Sequence, residues 1–205
     1  MAVRVKVCGI TNGRDADVAA EAGADAVGFV FVQGTPRYID PETARGIINE
    51  LPPFVTPVGV FADHPVEEVE RLMRLCGFRT VQLHGSEPPE DCHRLTGSVI
   101  KAFRVGGDRV LPPMEAYHVH AYLLDTLVEG KLGGTGKTFP HEVASRAKSF
   151  GRVIVSGGLS PGSVAQVVRQ VRPYGVDVSS GVESEPGRKD PQKVRDFIAC
   201  VRKAE

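Results

Sequence analysis

The sequence predicts an α/β protein: a single (βα)8 TIM barrel over residues 1–205, with its reactive groups at the C-terminal ends of eight parallel strands. Three observations predict it. Eight short runs of strand type are separated by segments long enough for a crossover helix, at a mean period of roughly 25 residues. A polar residue followed by proline recurs at Asp40-Pro41, His64-Pro65, Ser160-Pro161 and Asp190-Pro191, each time ahead of apolar residues at helical spacing. An open doubly wound sheet would show a glycine fingerprint after its first strand, and Cys8-Gly9-Ile10-Thr11-Asn12-Gly13 does not match one.

The elements follow in order. Val3 to Cys8 alternates apolar with polar residues and ends at a thiol, as expected of a strand that delivers one reactive group to its C-terminal end. Residues 13 to 23 form a helix with Val18, Ala19 and Ala22 on one face and Gly23 as a left-handed cap. Asp25 to Phe31 is mostly apolar, as in a parallel strand covered on both faces. Asp40 can accept from the free amides of the next helix and Pro41 suits its first position, with Ala44, Ile47, Ile48 and Leu51 as the buried stripe. Further strands are expected at residues 55–61, 80–83, 99–103, 121–124, 152–155 and 176–178. Helical stripes are expected at Val66, Val69, Leu72 and Met73, at Val164, Val167 and Val168, and at Val194, Phe197 and Ile198.

Basic and acidic residues balance at 25 each. No broad basic surface for nucleic acid or anionic membrane is implied, and the expected partner is a small molecule. No apolar run reaches the roughly 20 residues that span a bilayer. The first residues run straight into a strand carrying Arg4 and Lys6, so a cytoplasmic protein is expected. Cys8, Cys76, Cys92 and Cys200 have neither close pairing nor metal-type spacing, which argues against a disulfide frame and a zinc site; Cys76 and Cys200 read as small buried hydrophobes. Arginine exceeds lysine about two to one and asparagine occurs only twice, a hint of heat adaptation that favours a homodimer.

In such barrels chemistry sits where strands run into the following loops. That singles out Cys8, Arg37, His84, Asp125, Ser156-Gly157-Gly158-Leu159 and Ser179-Ser180-Gly181-Val182-Glu183. The last two are small-residue turns on consecutive late strands, where backbone amides can approach a phosphate dianion without a side chain intervening; glycines that merely tighten turns are the alternative. Gly133-Gly134-Thr135-Gly136-Lys137 has Lys131 where a Walker A loop needs glycine, and fits a lid after the sixth strand. Asp125 closes an apolar run, where it can hold a proton for donation or cap the next segment. Cys8 is either an inert buried thiol or a reactive one. Arg37, in a proline-stiffened loop, can grip a planar carboxylate through two parallel hydrogen bonds or lie on the surface. His84 can meet ligand or serve as a hydrogen-bonded structural histidine.

Lys6-Val7-Cys8-Gly9-Ile10-Thr11, Gly28-Phe29-Val30-Phe31 with Pro36-Arg37-Tyr38, Val81-Gln82-Leu83-His84-Gly85, Leu124-Asp125-Thr126, Gly133 to Lys137, Ser156 to Leu159 and Val178 to Glu183 together resemble the phosphoribosylanthranilate isomerase family of tryptophan biosynthesis. The match is collinear from the first strand to the last. Thr35 stands where that family usually has serine, which leaves Arg37 in place.

The resemblance implies a cofactor-free and metal-free Amadori rearrangement of N-(5-phosphoribosyl)anthranilate to 1-(2-carboxyphenylamino)-1-deoxyribulose 5-phosphate. It implies Cys8 as general base, Asp125 as general acid and Arg37 as the binder of the anthranilate carboxylate. His84 would line the substrate site, and Gly157, Gly158, Ser179, Ser180 and Gly181 would hold the phosphate. Two alternatives stand beside it: another phosphosugar barrel, such as a sugar-phosphate epimerase or indole-glycerol-phosphate synthase, and a non-catalytic phosphometabolite-binding barrel. The synthase would be expected to carry further charged catalytic residues and an N-terminal extension.

Overall fold

Strands β1 (Arg4–Cys8), β2 (Ala26–Val30), β3 (Thr56–Phe61), β4 (Thr80–Leu83), β5 (Ser98–Val105), β6 (Ala121–Thr126), β7 (Val153–Ser156) and β8 (Gly175–Val178) are all parallel and close into a barrel in chain order. They are seen in a computed structural model, which describes residues 2–105, 111, 113–126 and 141–205. Each strand lies within two residues of the run expected for it at either end.

Register carries the alternation of side-chain faces around the ring. Cys8 lies opposite Gly28, Gly28 opposite Val58, Val58 opposite Thr80, and Thr80 opposite Ser98. Ile100 then faces Ala121, Leu123 faces Ile154, Ile154 faces Gly175, and Gly175 faces Arg4 across the closing seam. With a period of two along every strand, all of these share one face, and so do Lys6 and Asp125. That face is the inside: Val58, Ile100, Ala102, Ala121, Leu123 and Ile154 pack into a cluster of their own, apart from the larger core outside the strands.

The outer face is covered by α1 (Gly13–Glu21), α2 (Pro41–Glu50), α3 (Val66–Cys76), α4 (Pro89–Arg94), α5 (His141–Ala147), α6 (Val164–Val171) and α7 (Pro191–Ala204). Asp40 accepts from the amides of Glu42 and Thr43, and Asp190 from those of Gln192 and Lys193, so both aspartate-proline starts behave as expected. Gly23 takes positive φ just past the end of α1.

Four details depart from expectation. Pro65 is itself the residue flanking α3, and His64 cannot cap because its Nδ1 lies 2.9 Å from the Ala62 carbonyl. Ser160-Pro161 opens a turn rather than a helix: Ser163 Oγ accepts from the Ser160 amide, and α6 starts only at Val164. The fifth crossover contains a 3₁₀ turn, Met114–Ala116, and no α-helix among the described residues. Leu111-Pro112-Pro113 removes two amide donors there. Met114 is fully buried and Tyr117 meets Phe103 edge-on at 5.1 Å, so side chains cover β5 where a helix was expected. Finally, β9 (Glu183–Glu185) and β10 (Arg188–Lys189) form a small antiparallel ribbon after β8.

Candidate active site

At the C-terminal rim the inner face changes from apolar to chemical. The alternation that sends Leu123 inward sends Asp125 inward two residues later, and the same rule places Lys6 and Cys8 together on the opposite part of the ring. Cys8 is 7% exposed, whereas the Asp125 side chain is 31% exposed. One group is shielded and the other reaches solvent.

Asp125 Oδ2 lies 3.1 Å from His84 Nε2, and His84 Nδ1 lies 2.8 Å from Gln82 Nε2. With that amide donating, Nδ1 is the acceptor and Nε2–H donates to the carboxylate. Turning the amide over would reverse the tautomer and let a protonated Asp125 donate instead. Gln82 Oε1 is buried without a hydrogen-bond partner among the described residues, so neither orientation satisfies every atom.

On β1, Lys6 Nζ donates to Asp177 Oδ1 at 2.8 Å, and Ser156 Oγ donates to the other carboxylate oxygen at 3.0 Å. Burial works to lower the Lys6 pKa, but the Asp177 carboxylate and the Cys8 sulfur outweigh it and the net shift is upward. Burial pushes the Cys8 thiol pKa up; Lys6 and, less strongly, Lys189 pull it down, but with Asp177 also raising it the net shift is upward.

Arg37 donates from Nε and Nη2 to the two Glu183 oxygens at 2.8 and 2.7 Å. Glu183 also accepts from Lys189 Nζ at 2.9 Å, and those donors overcome its burial and lower its pKa. The expected fork of Arg37 is therefore engaged on one edge by the protein itself. Its other edge, Nη1 with the second Nη2 hydrogen, points away from Glu183 and is fixed in direction by it.

The two late turns abut. Gly157 and Gly158 have φ of +89° and +64°, a left-handed pair open to glycine without strain. A Cβ on Gly181 would lie 1.8 Å from the Leu159 carbonyl oxygen, so only glycine lets the turns meet. Ser180–Val182 is one 3₁₀ turn, and Ser179 Oγ is buried without a hydrogen-bond partner among the described residues. The proposed lid, Gly133 to Lys137, lies outside the described residues.

Lys6, Gln82, Asp177 and Lys189 were not among the expected site residues, and Glu183, singled out as the end of a turn, was not expected as the partner of Arg37. The Arg4-Lys6-Cys8 alternation against Val3, Val5 and Val7 already put Lys6 on the face of Cys8. Pro186-Gly187, a turn dipeptide, marked the ribbon that carries Lys189 back.

Acid–base groups inside the mouth of a closed barrel, beside paired glycine turns after β7 and β8, define a phosphosugar-handling (βα)8 enzyme. Comparison narrows the class. The family model for N-(5'-phosphoribosyl)anthranilate (PRA) isomerase matches residues 5–200. The N-(5'-phosphoribosyl)anthranilate isomerase of Geobacter metallireducens is 53% identical over 196 residues, which are 96% of this chain and 97% of the relative. Among solved structures, a phosphoribosylanthranilate isomerase in complex with reduced 1-(o-carboxyphenylamino)-1-deoxyribulose 5-phosphate superposes with a TM-score of 0.85 at 40% identity, covering 98% of this chain and 99% of that one. Monomers generated from the dimeric isomerase of Thermotoga maritima give 0.84 at 40% identity, with coverage of 98% and 99%. The chain belongs to the phosphoribosylanthranilate isomerase family.

Proposed function

We propose that Cys8 is the general base and Asp125 the general acid of the aminoaldose-to-aminoketose rearrangement for which the family is named. The chain is an isomerase of tryptophan biosynthesis, converting N-(5'-phosphoribosyl)anthranilate into 1-(2-carboxyphenylamino)-1-deoxyribulose 5-phosphate. The observation that carries the assignment of roles is the shared inner face of Cys8 and Asp125 at the rim of one barrel.

The chemistry asks for these groups in sequence. Protonated Asp125 gives its proton to the furanose ring oxygen while the nitrogen lone pair opens the ring to an iminium. The iminium acidifies the C2 proton, and Cys8 thiolate removes it. The resulting enolamine takes a proton at C1 and loses its hydroxyl proton to become the ketone. The His84 bond to Asp125 offers a route by which the acid is reprotonated.

Binding follows from the two ends of the substrate. The free Arg37 edge suits the planar anthranilate carboxylate, with His84 lining the same mouth. The backbone of Gly157, Gly158, Ser180 and Gly181 and the Ser179 hydroxyl, which has no hydrogen-bond partner among the described residues, suit the phosphate. Tethered at both ends, the sugar carbons would lie between thiol and carboxyl, which supplies the orientation that acid–base catalysis needs.

A catalytic amount of the purified chain added to freshly prepared phosphoribosylanthranilate should extinguish its anthranilate fluorescence over many turnovers. A single stoichiometric change would mark a binder and overturn the reading.

The chain is taken to act as one cytoplasmic domain; no described helix is long and apolar enough to cross a membrane. A homodimer is supported by Phe54, 95% exposed on the loop before β3, and Tyr174, 42% exposed before β8. Both lie on the face where strands begin, and there Tyr174 lines a shallow hollow of about 660 Å³ together with Val119 and Arg152. A one-chain mass by light scattering would contradict the dimer.

A further inference from the structure

We propose that Lys6 is the positioning residue that makes Cys8 a base, its ammonium shared between the Asp177 carboxylate and the Cys8 sulfur. This rests on Cys8 being the general base.

Three observations carry it. Lys6 and Cys8 are two residues apart on the inner face of β1, and both lean over the same glycine: a Cβ on Gly28 would lie 2.7 Å from Cys8 Sγ and 3.2 Å from Lys6 Cε. Absence of a side chain at position 28 is what gives the sulfur and the lysine stem common room. Secondly, Asp177 holds Lys6 from β8 at 2.8 Å and is itself held by Ser156, so the buried ammonium is tethered from one side. It has one oxygen acceptor among the described residues, which leaves hydrogens for the sulfur.

The third is the charge inventory around the thiol. Lys6 faces it from β1, Asp177 from β8, Arg37 from the loop after β2 and Lys189 from the ribbon after β8, while Glu183 stands behind Arg37 and Lys189. Glu183 serves both Arg37 and Lys189, and Asp177 serves Lys6. Three cations thus stand against two carboxylates. Counted over these five groups alone, the thiol form of Cys8 leaves one positive charge uncompensated and the thiolate form leaves none. Burial opposes the thiolate, and this imbalance opposes burial.

The cycle then needs no large movement. While Cys8 is ionised, Lys6 divides its hydrogens between sulfur and Asp177. When the sulfur takes the C2 proton of the sugar, Lys6 settles on Asp177 alone, and the lysine itself never loses a proton.

Lys6→Met and Asp177→Asn give opposite expectations. Cys8 ionisation is read as the thiolate ultraviolet absorbance that disappears when Cys8 is also replaced by alanine, so the reading needs no turnover. Lys6→Met should move the midpoint to higher pH. A thiolate fraction lowered about tenfold at neutral pH should cut kcat/KM there by about tenfold, with activity recovering as pH rises. Asp177→Asn keeps the ammonium and removes its competitor, so the midpoint should move downward. An unmoved midpoint in Lys6→Met, or a loss of kcat/KM equal at every pH, would reduce Lys6 to a packing role and overturn the inference. If Lys6→Met does not fold, Asp177→Asn decides alone: an upward or unchanged midpoint overturns it. Turnover surviving in Cys8→Ala would strike the base assignment, a different failure from an unmoved midpoint.

Discussion

Besides Lys189 and Glu183, two buried lysine–carboxylate pairs among the described residues lie on opposite sides of the barrel wall. Lys6 and Asp177 meet inside at 2.8 Å, each 5% exposed; Lys101 and Glu87 meet outside β5, also at 2.8 Å and 2% and 3% exposed. Distance and burial are alike, yet the surroundings differ. Lys101 also donates to the Gly85 carbonyl and lies within 6 Å of the Phe103 and Tyr117 rings, at 5.7 and 5.9 Å. Glu87 collects the amides of Asp63 and Gly85 as well. That outer pair is a closed lock, tying the loops after β3 and β4 to the sheet. The inner pair has a sulfur beside it and a carboxylate anchored by a hydroxyl, so a change of protonation next to it can be accommodated. A buried ion pair by itself says little about function; what its spare hydrogen-bonding capacity faces says more.

This contrast can be broken by substitution. The largest effect is expected at the reacting groups: Asp125→Asn should lower kcat by about 10²- to 10⁴-fold, the usual range for a positioned acid, with the melting temperature nearly unchanged. Rate loss without unfolding is the signature of the inner face. Lys101→Met should do the reverse, costing about 3–5 kcal/mol of stability because Glu87 is left as an uncompensated buried charge, while the pH profile of kcat/KM keeps its position. Denaturant unfolding and a pH series on one preparation measure both, and a shifted profile would erase the distinction between the pairs.

Arg37→Ala comes next. Losing charge-assisted hydrogen bonds worth about 1.5–3 kcal/mol should raise KM by tenfold or more and leave kcat less affected. An unchanged KM would count against the carboxylate contact.

The smallest expected effect is on pH stability. Burial raises the Glu183 pKa, but the Arg37 and Lys189 donors more than reverse this, and the folded-state pKa lies below the ordinary 4.5. Its pairing therefore stabilises the fold above the ordinary value and is lost as pH falls through the depressed one. Amide exchange in β9 and β10 should accelerate in that acid window before the barrel strands respond, and Glu183→Gln should abolish the step.

The same contrast separates what sequence could reveal from what it could not. Apolar runs and aspartate-proline starts marked the strands and several helices because they report local burial and capping, which sequence neighbours decide. The fifth crossover departed because, among its described residues, a 3₁₀ turn and large side chains such as Met114 and Tyr117 cover β5, a tertiary solution with no periodicity of its own. Cys8, Arg37, His84 and Asp125 stood out because each ends or follows a strand. Which edge of Arg37 is free could not be foreseen, since Glu183 lies 146 residues away in sequence. Lys6 carried a local signal in its alternation with Cys8, but its partner Asp177 became identifiable only when β8 closed on β1.

The central claim is that the thiol on β1 does the proton abstraction. The most direct test is the steady-state rate of fluorescence loss from phosphoribosylanthranilate with Cys8→Ala, alongside binding of the reduced product analogue to the same variant. Turnover reduced by at least about 10²-fold, with analogue affinity within a few-fold of the parent, is the predicted result. A rate within tenfold of the parent would contradict it and leave the base to be found elsewhere in the mouth.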